Sequence, residues 1–479
     1  MRATLLLGIM LTLLSGCASV PRYDGKLDRL SGAAAKPRIV GVRGPLSVEQ
    51  SKAILARISH QAGAGDMLQR HLAIERAVAD TPLVAGNRTR VLRNGPETFP
   101  AIFSAIYGAK HSVNMEYYII EDIESGGRRL SDLLLAKRAQ GVAVNILYDS
   151  YGSLGTRDDF FKRLRTAGVK LLEFHPINPL DARDGYSPND RDHRKMLVVD
   201  GRTAIVGGVN LSTTYESNPL SLSALHRRGH AKGDGDGPPP DAAAPGVAAR
   251  ERWRDTDIEI EGPAVAQLQG LFLAHWAQAG GKPPDNADFF PAIGRDGNEI
   301  VRIIGSSPTD ALPRYYITLL SAIRNAGQSI WLSAAYFVPT HEEMEALEDA
   351  ARRGVDVRLI LPDHSDSQLA IDVAHSRYED LLEAGVKIFE THDVFLHSKT
   401  VVIDNVWSAV GSSNFDQRSV LFNDEVDAIV LGEQTAREIR ATLEHDLRES
   451  RRIDPADWNA RPFGQKIKEY FARVWESLL

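Results

Sequence analysis

Two duplicated α/β halves packed around one shared site is the fold class this sequence predicts. Three observations predict it. Helix-like and strand-like segments recur in the same order in two parts of the chain. The copies lie more than two hundred residues apart, too far for a solenoid, whose repeats run about 20–50 residues. A His-x-Lys motif occurs once in each copy, at the equivalent place.

The repeat justifies each element in turn. Phe99 to Ile106 has helical spacing, and Ser112 to Ile120 follows as a strand. Tyr316 to Ile323 and Ser329 to Val338 repeat that order. Gly141 to Asp149 recurs as Gly354 to Asp363, an offset of 213 between the two glycines. The Ala167-Gly-Val-Lys segment recurs at Ala384, an offset of 217. Near-constant offsets make the halves co-linear, and β-branched runs alternating with helices give buried sheets. Ligand sites favour domain interfaces, so the junction of the halves is the expected site.

The 479 residues suit about three domains, or two large ones, at about 150 residues each. Hydrophobic content of 43% and charged content of 25% exclude a disordered or fibrous chain. The single cysteine, Cys17, excludes an intrachain disulfide and a Cys-based zinc site. With 56 basic against 63 acidic residues the net charge is -7, so nucleic acid is not the expected partner.

The remaining segments read as follows. Leu5 to Leu14 is an apolar run behind Arg2, too short to span a bilayer and suited to a signal peptide. It ends in Leu14-Ser15-Gly16-Cys17, which resembles the lipobox of bacterial lipoproteins. The resemblance implies cleavage before Cys17 and a diacylglycerol on its sulfur. Without an Asp after Cys17, the outer membrane facing the periplasm is the expected address. The expected division is a signal peptide at 1–16, a lipidated N-terminus and tether at 17–46, and a helical region at 47–90. Domain 1 covers 91–290, with a loop insertion at about 217–250. Domain 2 covers 291–479 and ends in an amphipathic helix. Ser47 to Gln50 has the form of a capping box, with Ile54, Leu55 and Ile58 as a helical stripe behind it. Residues 226–246, rich in Gly, Pro, Ala and Asp, read as a mobile surface loop. In the last helix Ile467, Tyr470, Phe471, Val474, Trp475 and Leu478 form a stripe opposite Lys466, Lys468, Glu469 and Arg473. Docking of that stripe onto the domain core is the expected arrangement, with membrane contact as the alternative.

The chemistry lies in the motifs. The first copy holds His193, Lys195 and Asp200-Gly201, then Gly207-Gly208 and Asn210. The second holds His397, Lys399 and Asp404-Asn405, then Gly411-Ser412 and Asn414. Asn210 follows His193 by 17, and Asn414 follows His397 by 17. Side chains at i and i+2 of a strand share a face, so each histidine emerges with its lysine. The Asp-Gly and Asp-Asn pairs are tight-turn dipeptides. A hairpin centred on them sets Asn210 opposite His193 and Asn414 opposite His397, with Gly208 and Ser412 opposite the lysines. Two such clusters facing each other would surround a tetrahedral anion with donors. A phosphodiester needs that. Lysine and asparagine hold the non-bridging oxygens, one imidazole attacks phosphorus, and the other moves the proton. Orienting carboxylates complete the set. Glu425 precedes Gly432 by seven residues, as Asp255 precedes Gly262. Glu425 is therefore expected to serve His397, and Asp255, with Asp257 as runner-up, to serve His193.

The paired His-x-Lys-x4-Asp motifs resemble the phospholipase D superfamily. Glu116 to Ile120, Arg191 to Lys195, Trp253 to Thr256, Tyr336 to Pro339 and Asp416 to Ser419 make the chain similar to bacterial cardiolipin synthases. The resemblance covers about residues 90–445. It implies α/β/α sandwich domains related by a pseudo-twofold, one active site at their interface, and no metal. It also implies His193 as nucleophile, His397 as acid/base, and structural roles for Asp200 and Asp404. The expected reaction is phosphatidyl transfer, with phosphatidylglycerol as donor and acceptor. Water as acceptor would make it a phospholipase D. The acidic composition argues against a nuclease, and two intact histidines argue against a non-catalytic anion binder. No nucleotide-binding glycine motif or metal-ligand cluster is evident, so no cofactor is expected. Tyr117, Tyr118, Tyr336 and Phe337 end strands near the expected cleft.

Overall fold

The computed structural model describes residues 20, 22–23, 39–62, 67–178, 187, 189–216, 252–284 and 288–474. The expected signal peptide 1–16, Cys17, the 226–246 loop, Trp475 and Leu478 lie outside the described residues. Of the expected tether at 17–46, the last part is not tether. Ile39–Gly41 is a strand parallel to Leu83 and Val84, and Ile39 is buried. Its β-branched side chains cover a sheet edge.

Helix α1 (Val48–Ala62) starts as expected. The Ser47 hydroxyl accepts the Gln50 N–H at 3.1 Å, and the Gln50 side chain accepts the Ser47 N–H at 3.0 Å. Helix α2 (Met67–Val78) follows. The first half then runs β1 (Leu83–Arg93), α3 (Asn94–Gly108), β2 (Ser112–Tyr117), α4 (Leu130–Ala139), β3 (Ala143–Asp149), α5 (Asp158–Thr166) and β4 (Lys170–Phe174). It continues with β5 (Arg191–Asp192), β6 (Lys195–Val199), β7 (Thr203–Gly207), β8 (Arg252–Arg254), β9 (Thr256–Glu261) and α6 (Val265–Gln278). The second half runs β10 (Glu299–Ser306), α7 (Arg314–Asn325), β11 (Ser329–Ala334), α8 (His341–Arg352), β12 (Asp356–Pro362), α9 (Gln368–Ala384) and β13 (Lys387–Thr391). Then come β14 (Val394–Leu396), β15 (Lys399–Ile403), β16 (Trp407–Gly411), α10 (Gln417–Leu421), β17 (Asn423–Leu431) and α11 (Glu433–Arg448). Helix α12 (Phe463–Ala472) lies near the end.

The duplication is visible in the sheets. The first has strand order β4-β3-β2-β6-β7-β9-β1. The second has β13-β12-β11-β15-β16-β17-β10. In both, three parallel strands are followed by four that alternate in direction. Strands β1 and β10 pair with each other, Val84 opposite Val301, and join the two sheets edge to edge.

The sequence of β6 shows why these strands are central. Leu197 and Val199 face the helices of the first half, whereas Met196 and Val198 face a core built from both halves. That shared core also holds Val206, Ile258, Val402, Val410 and Ala428, all buried. Strands apolar on both faces need layers on both faces. Full burial of a Val, Leu or Ile contributes about 1.5–3 kcal/mol, so a common core couples the halves.

The motif hairpins differ from the expected register by one residue. Asp200 and Gly201 have φ of 53° and 61°, and Asp404 and Asn405 have 50° and 55°. The turns close with Arg202 N–H to Val199 O and Val406 N–H to Ile403 O. The ladders, however, pair Val199 with Thr203 and Ile403 with Trp407, so three residues form each loop. Asn210 and Asn414 therefore do not stand opposite the histidines. The lysines open their strands, one residue beyond the last ladder pairs Met196–Val206 and Thr400–Val410, and the histidines precede those strands. Among the described residues, no helix is long and apolar enough to cross a membrane.

Candidate active site

The motif aspartates hold the hairpins in place. The Asp200 carboxylate accepts the N–H groups of Lys110, His111 and Ser112 at 2.7–2.8 Å. The Asp404 carboxylate accepts those of Gly327, Gln328 and Ser329 at 2.7–2.9 Å. Each thus ties its turn to the start of the neighbouring strand, β2 or β11, and neither lines the cavity.

The carboxylates bind the histidines crosswise, which overturns the pairing expected within each half. His193 Nδ1 lies 3.0 Å from both oxygens of Glu425, and His397 Nδ1 lies 2.8 Å from Asp255 Oδ2. Backbone pairing between the halves is the cause. Strand β5 runs parallel to the start of β17, with Asp192 opposite Asp424. Strand β8 runs parallel to β14, with Arg254 opposite Leu396. The His193 N–H bonds to Asp424 O and the His397 N–H to Arg254 O. In each case the next residue on the acid-bearing strand is the carboxylate. The equivalence of Asp255 and Glu425 within the two halves does hold. Their neighbours Thr256 and Val426 accept the N–H groups of Gly208 and Ser412. Asp257 binds the Val209 N–H instead of a histidine.

An asymmetry accompanies that equivalence. The Ser412 hydroxyl donates to Glu425. At Gly208 a Cβ would lie 2.1 Å from Asp255 Oδ1. The shorter acid needs the space that glycine leaves.

A cavity of about 300 Å³ lies between the halves, and His193 and His397 both line it, with Asn210 and Asn414. Asn210 Oδ1 accepts the Ile119 N–H, and its Nδ2 lies 3.4 Å from the Tyr215 hydroxyl. The Nζ of Lys195 donates to His193 O at 2.6 Å. The Nζ of Lys399 donates to His397 O and lies 2.9 and 3.1 Å from the two ring nitrogens of His397. The lysines are buried and do not line the wall; Arg191 and Arg418 do. With each Nδ1–H donated to a carboxylate, each imidazole carries its lone pair on Nε2, which in His397 lies 3.1 Å from Lys399 Nζ.

Burial sets the protonation states. It lowers both histidines to about 4, against the pull of Glu425 on His193. At His397 the Lys399 charge adds to the lowering, and Asp255 opposes it. Burial also lowers Lys195 to about 7 and Lys399 to about 8. Burial pushes the Glu425 carboxyl up, but His193, Lys195 and the Ser412 hydroxyl together hold it below the ordinary range. Near neutrality the site holds two neutral imidazoles beside ammonium groups poised to lose protons. A bound anion would favour the charged lysines.

Three aromatic side chains also pack around the histidines. The Tyr215 hydroxyl lies 3.2 Å from His397 Nδ1, the Trp253 ring packs 5.4 Å from the His397 ring, and Tyr118 meets His193 edge-on at 5.3 Å. Arg191 and Arg418 belong to segments singled out in the sequence, but nothing marked them as wall residues. Of the four strand-end aromatics, Tyr118 and Tyr336 line the cavity, while Tyr117 and Phe337 are buried in the core. Adjacent strand residues point to opposite faces.

Beside the site, Glu116, Asp192 and His275 bring ligand-type atoms within 4.8 Å of one another. The Arg194 guanidinium lies 3.1 Å from Glu116 and 3.4 Å from Asp424, and His275 Nδ1 donates to Glu116 at 2.8 Å. Arginine already supplies this cluster with positive charge, so it fits an internal ion-pair network better than a cation.

A family model described as "Cardiolipin synthase, PLD-like domain" matches residues 102–219 and 319–447. A cardiolipin synthase of Geobacillus thermodenitrificans (strain NG80-2) is 32% identical over 412 residues, 85% of this chain and 75% of that protein. A probable cardiolipin synthase of Bacillus subtilis (strain 168) is 29% identical over 423 residues, 87% of this chain and 77% of that protein. The crystal structure of phosphatidylserine synthase from Haemophilus influenzae Rd KW20 shares the fold. Its TM-score is 0.57 at 13% identity, covering 84% of this chain and 97% of that one.

Proposed function

The chain belongs to the phospholipase D-like family of cardiolipin synthases, and from that premise we propose that it transfers phosphatidyl groups between alcohols through a phosphohistidine. One observation carries the reading: two imidazoles line one cavity, each oriented by an acid from the opposite half. Neither half could do the chemistry alone.

His193 is the nucleophile. Its Nδ1–H is held by Glu425, so the Nε2 lone pair is free for phosphorus. His397 is the acid/base, and Lys399 at 3.1 Å from its Nε2 can resupply a proton. In the first step the P–N bond to His193 forms and the P–O bond to the head-group glycerol breaks. Lys399 Nζ, 3.1 Å from His397 Nε2, passes a proton through that nitrogen to the departing oxygen, and the second step returns it to the lysine. In the second step an incoming hydroxyl gives its proton to His397, a P–O bond forms, and the P–N bond breaks. With phosphatidylglycerol as donor and acceptor, the products are glycerol and cardiolipin. One phosphodiester replaces another, so no nucleotide is consumed. Asn210, Asn414, Arg191 and Arg418 hold the phosphate oxygens, and the buried lysines supply the field. Ser412 acts through Glu425 as a positioning residue.

The reading extends to the chain's organisation. Residues 83–290 and 291–479 form the two phospholipase D-like domains; the first begins inside the expected helical region 47–90, because the strand Leu83–Arg93 belongs to its sheet. The lipobox-like Leu14 to Cys17 anchors the chain by lipid at the bacterial envelope, on the outer membrane facing the periplasm. The test is to incubate the protein with phosphatidylglycerol vesicles and identify the lipid products by mass spectrometry. Cardiolipin is expected. Phosphatidic acid alone would reassign the reaction as hydrolysis, and unchanged phosphatidylglycerol would overturn the proposal.

A further inference from the structure

Helix α12 is amphipathic, but it is mounted with its polar side inward. Glu469 and Ala472 are its buried residues. Glu469 is paired with Arg461 at 2.8 Å, Lys468 with Asp372 at 2.8 Å, and Arg473 donates to Ser376 at 3.0 Å. The polar contacts fasten α12 to α9 and to the residues just before α12. The described part of the apolar stripe expected to dock onto the core, Ile467, Tyr470, Phe471 and Val474, points away from it instead. Phe463 is 76% exposed, Tyr470 66%, Phe471 62% and Val474 67%, with Ile467 beside them at 42%. An apolar surface of this kind on a folded chain marks an interaction site.

Its place in the fold indicates the partner. Ala472 packs with Val338 and Ala370, and both of these line the catalytic cavity. The helix is thus fixed to the cavity wall on the side of the second half. The first half also has exposed apolar side chains next to a wall residue. Tyr151 and Leu154 are 59% and 64% exposed, on a turn whose Ser153 hydroxyl donates to Tyr118 O. Tyr118 is also a wall residue. The outward α12 face combines Phe463, Ile467, Tyr470, Phe471 and Val474, the aromatic and aliphatic side chains of helices that lie in a lipid interface, while Lys466, Lys468 and Arg473 are tied to Asn459 O, Asp372 and Ser376.

We propose that the outward face of α12, together with Tyr151 and Leu154, rests in the surface of a phospholipid bilayer and sets the cavity against its substrate. The proposal builds on the phosphatidyl-transfer reading. The aromatic rings and the aliphatic side chains beside them enter the acyl boundary. A lipid reaches the histidines along the wall formed by Tyr336, Val338 and Ala370, without crossing water.

The test uses the full chain with Cys17, its sole cysteine, replaced by serine, and a single cysteine introduced by Ile467→Cys or Tyr107→Cys. Tyr107 is 64% exposed on α3 and serves as the control site. Each cysteine carries an environment-sensitive fluorophore. Phosphatidylglycerol vesicles should shift the emission of the probe at 467 to the blue, and brominated acyl chains should quench it, while the probe at 107 stays unchanged. Equal behaviour at both sites would overturn the proposal. So would a blue shift at 467 produced by raising protein concentration without vesicles, which would assign the face to a second copy of the chain. In the otherwise unmodified chain, the triple substitution Ile467→Glu, Tyr470→Glu, Phe471→Glu should lower turnover of vesicle lipid about tenfold and leave monomeric short-chain lipid unaffected. An equal fall on both substrates would overturn the delivery role. If the unsubstituted chain turned over neither substrate, the phosphatidyl-transfer reading would fail, and the fluorescence would still decide the membrane contact.

Discussion

Glu425 in the second half holds His193 in the first, with both carboxylate oxygens 3.0 Å from Nδ1. Asp255 returns the arrangement by holding His397 at 2.8 Å. The exchange makes the site a property of the interface. A change in either half therefore acts on the chemistry assigned to the other.

The exchange predicts which variants resemble each other. Glu425→Gln should behave like His193→Ala, and Asp255→Asn like His397→Ala. A lost orienting carboxylate costs about 10⁴-fold in a comparable triad. A phospholipid with a good leaving group, such as nitrophenol, does not need the acid. It should restore phosphoenzyme formation in Asp255→Asn and not in Glu425→Gln. Rescue of both or of neither would reject the assignment.

The lowered pKa values give a pH profile. Lys195 at about 7 and Lys399 at about 8 lose their charge as pH rises, so KM for an anionic lipid should climb above pH 8. The nucleophile is protonated only near pH 4, which sets the acid limb of kcat/KM. Because the folded histidine values lie below the ordinary 6.5, each neutral ring stabilises the fold fully above that pH. This contribution is lost as pH falls through about 4. Urea melts across pH 4–7 should show the decline, and a flat KM to pH 9 would contradict the lysine assignment.

Gly208→Ala should inactivate without unfolding. The added Cβ would meet the Asp255 carboxylate at 2.1 Å and displace it from His397. A loss of about 100-fold in kcat is expected from misplacement of this size. At the equivalent position Ser412→Ala removes a hydrogen bond and no space, so its effect should be smaller, about tenfold. Steady-state kinetics on vesicle lipid would compare the two.

Asp200→Ala and Asp404→Ala should act on stability. Each removes the acceptor of three backbone N–H groups, and each places alanine at a left-handed φ of about 50°. A loss of about 2–4 kcal/mol is expected in denaturant unfolding. Activity per folded molecule should be largely retained. Loss of phosphoenzyme in fully folded Asp200→Ala would assign the aspartate to the chemistry.

Much of this was legible in the residues. The co-linear repeat predicted two sheets of one order, and the seven-residue distance to Gly262 and Gly432 matched Asp255 with Glu425. The dipeptides at Asp200 and Asp404 predicted tight turns. The three-residue loop was not legible, because the extra residue that joins each turn to its ladder leaves no mark in composition. Tyr215 and Trp253 were also missed as neighbours of His397. Trp253 belongs to a segment that carries the family resemblance, but nothing set it beside His397; tyrosine has many places in a core, and no motif distinguished Tyr215.

The residue order alone thus determined the duplication, the types of group in each half, and which positions correspond. Those properties are periodic and local, and a repeat shows them directly. Only the packed molecule decided that each acid serves the opposite histidine and that the last helix turns its apolar side outward. The first depends on pairing across 232 and 142 positions, and the second on contacts of α12 with α9, 96 positions away, and with Arg461 just before it. Strand β17 bonds to β5, β8 bonds to β14, and the ion pairs of α12 win its polar face for the protein. Periodicity shows that a helix has two faces, whereas the partners available in the fold choose which one is buried.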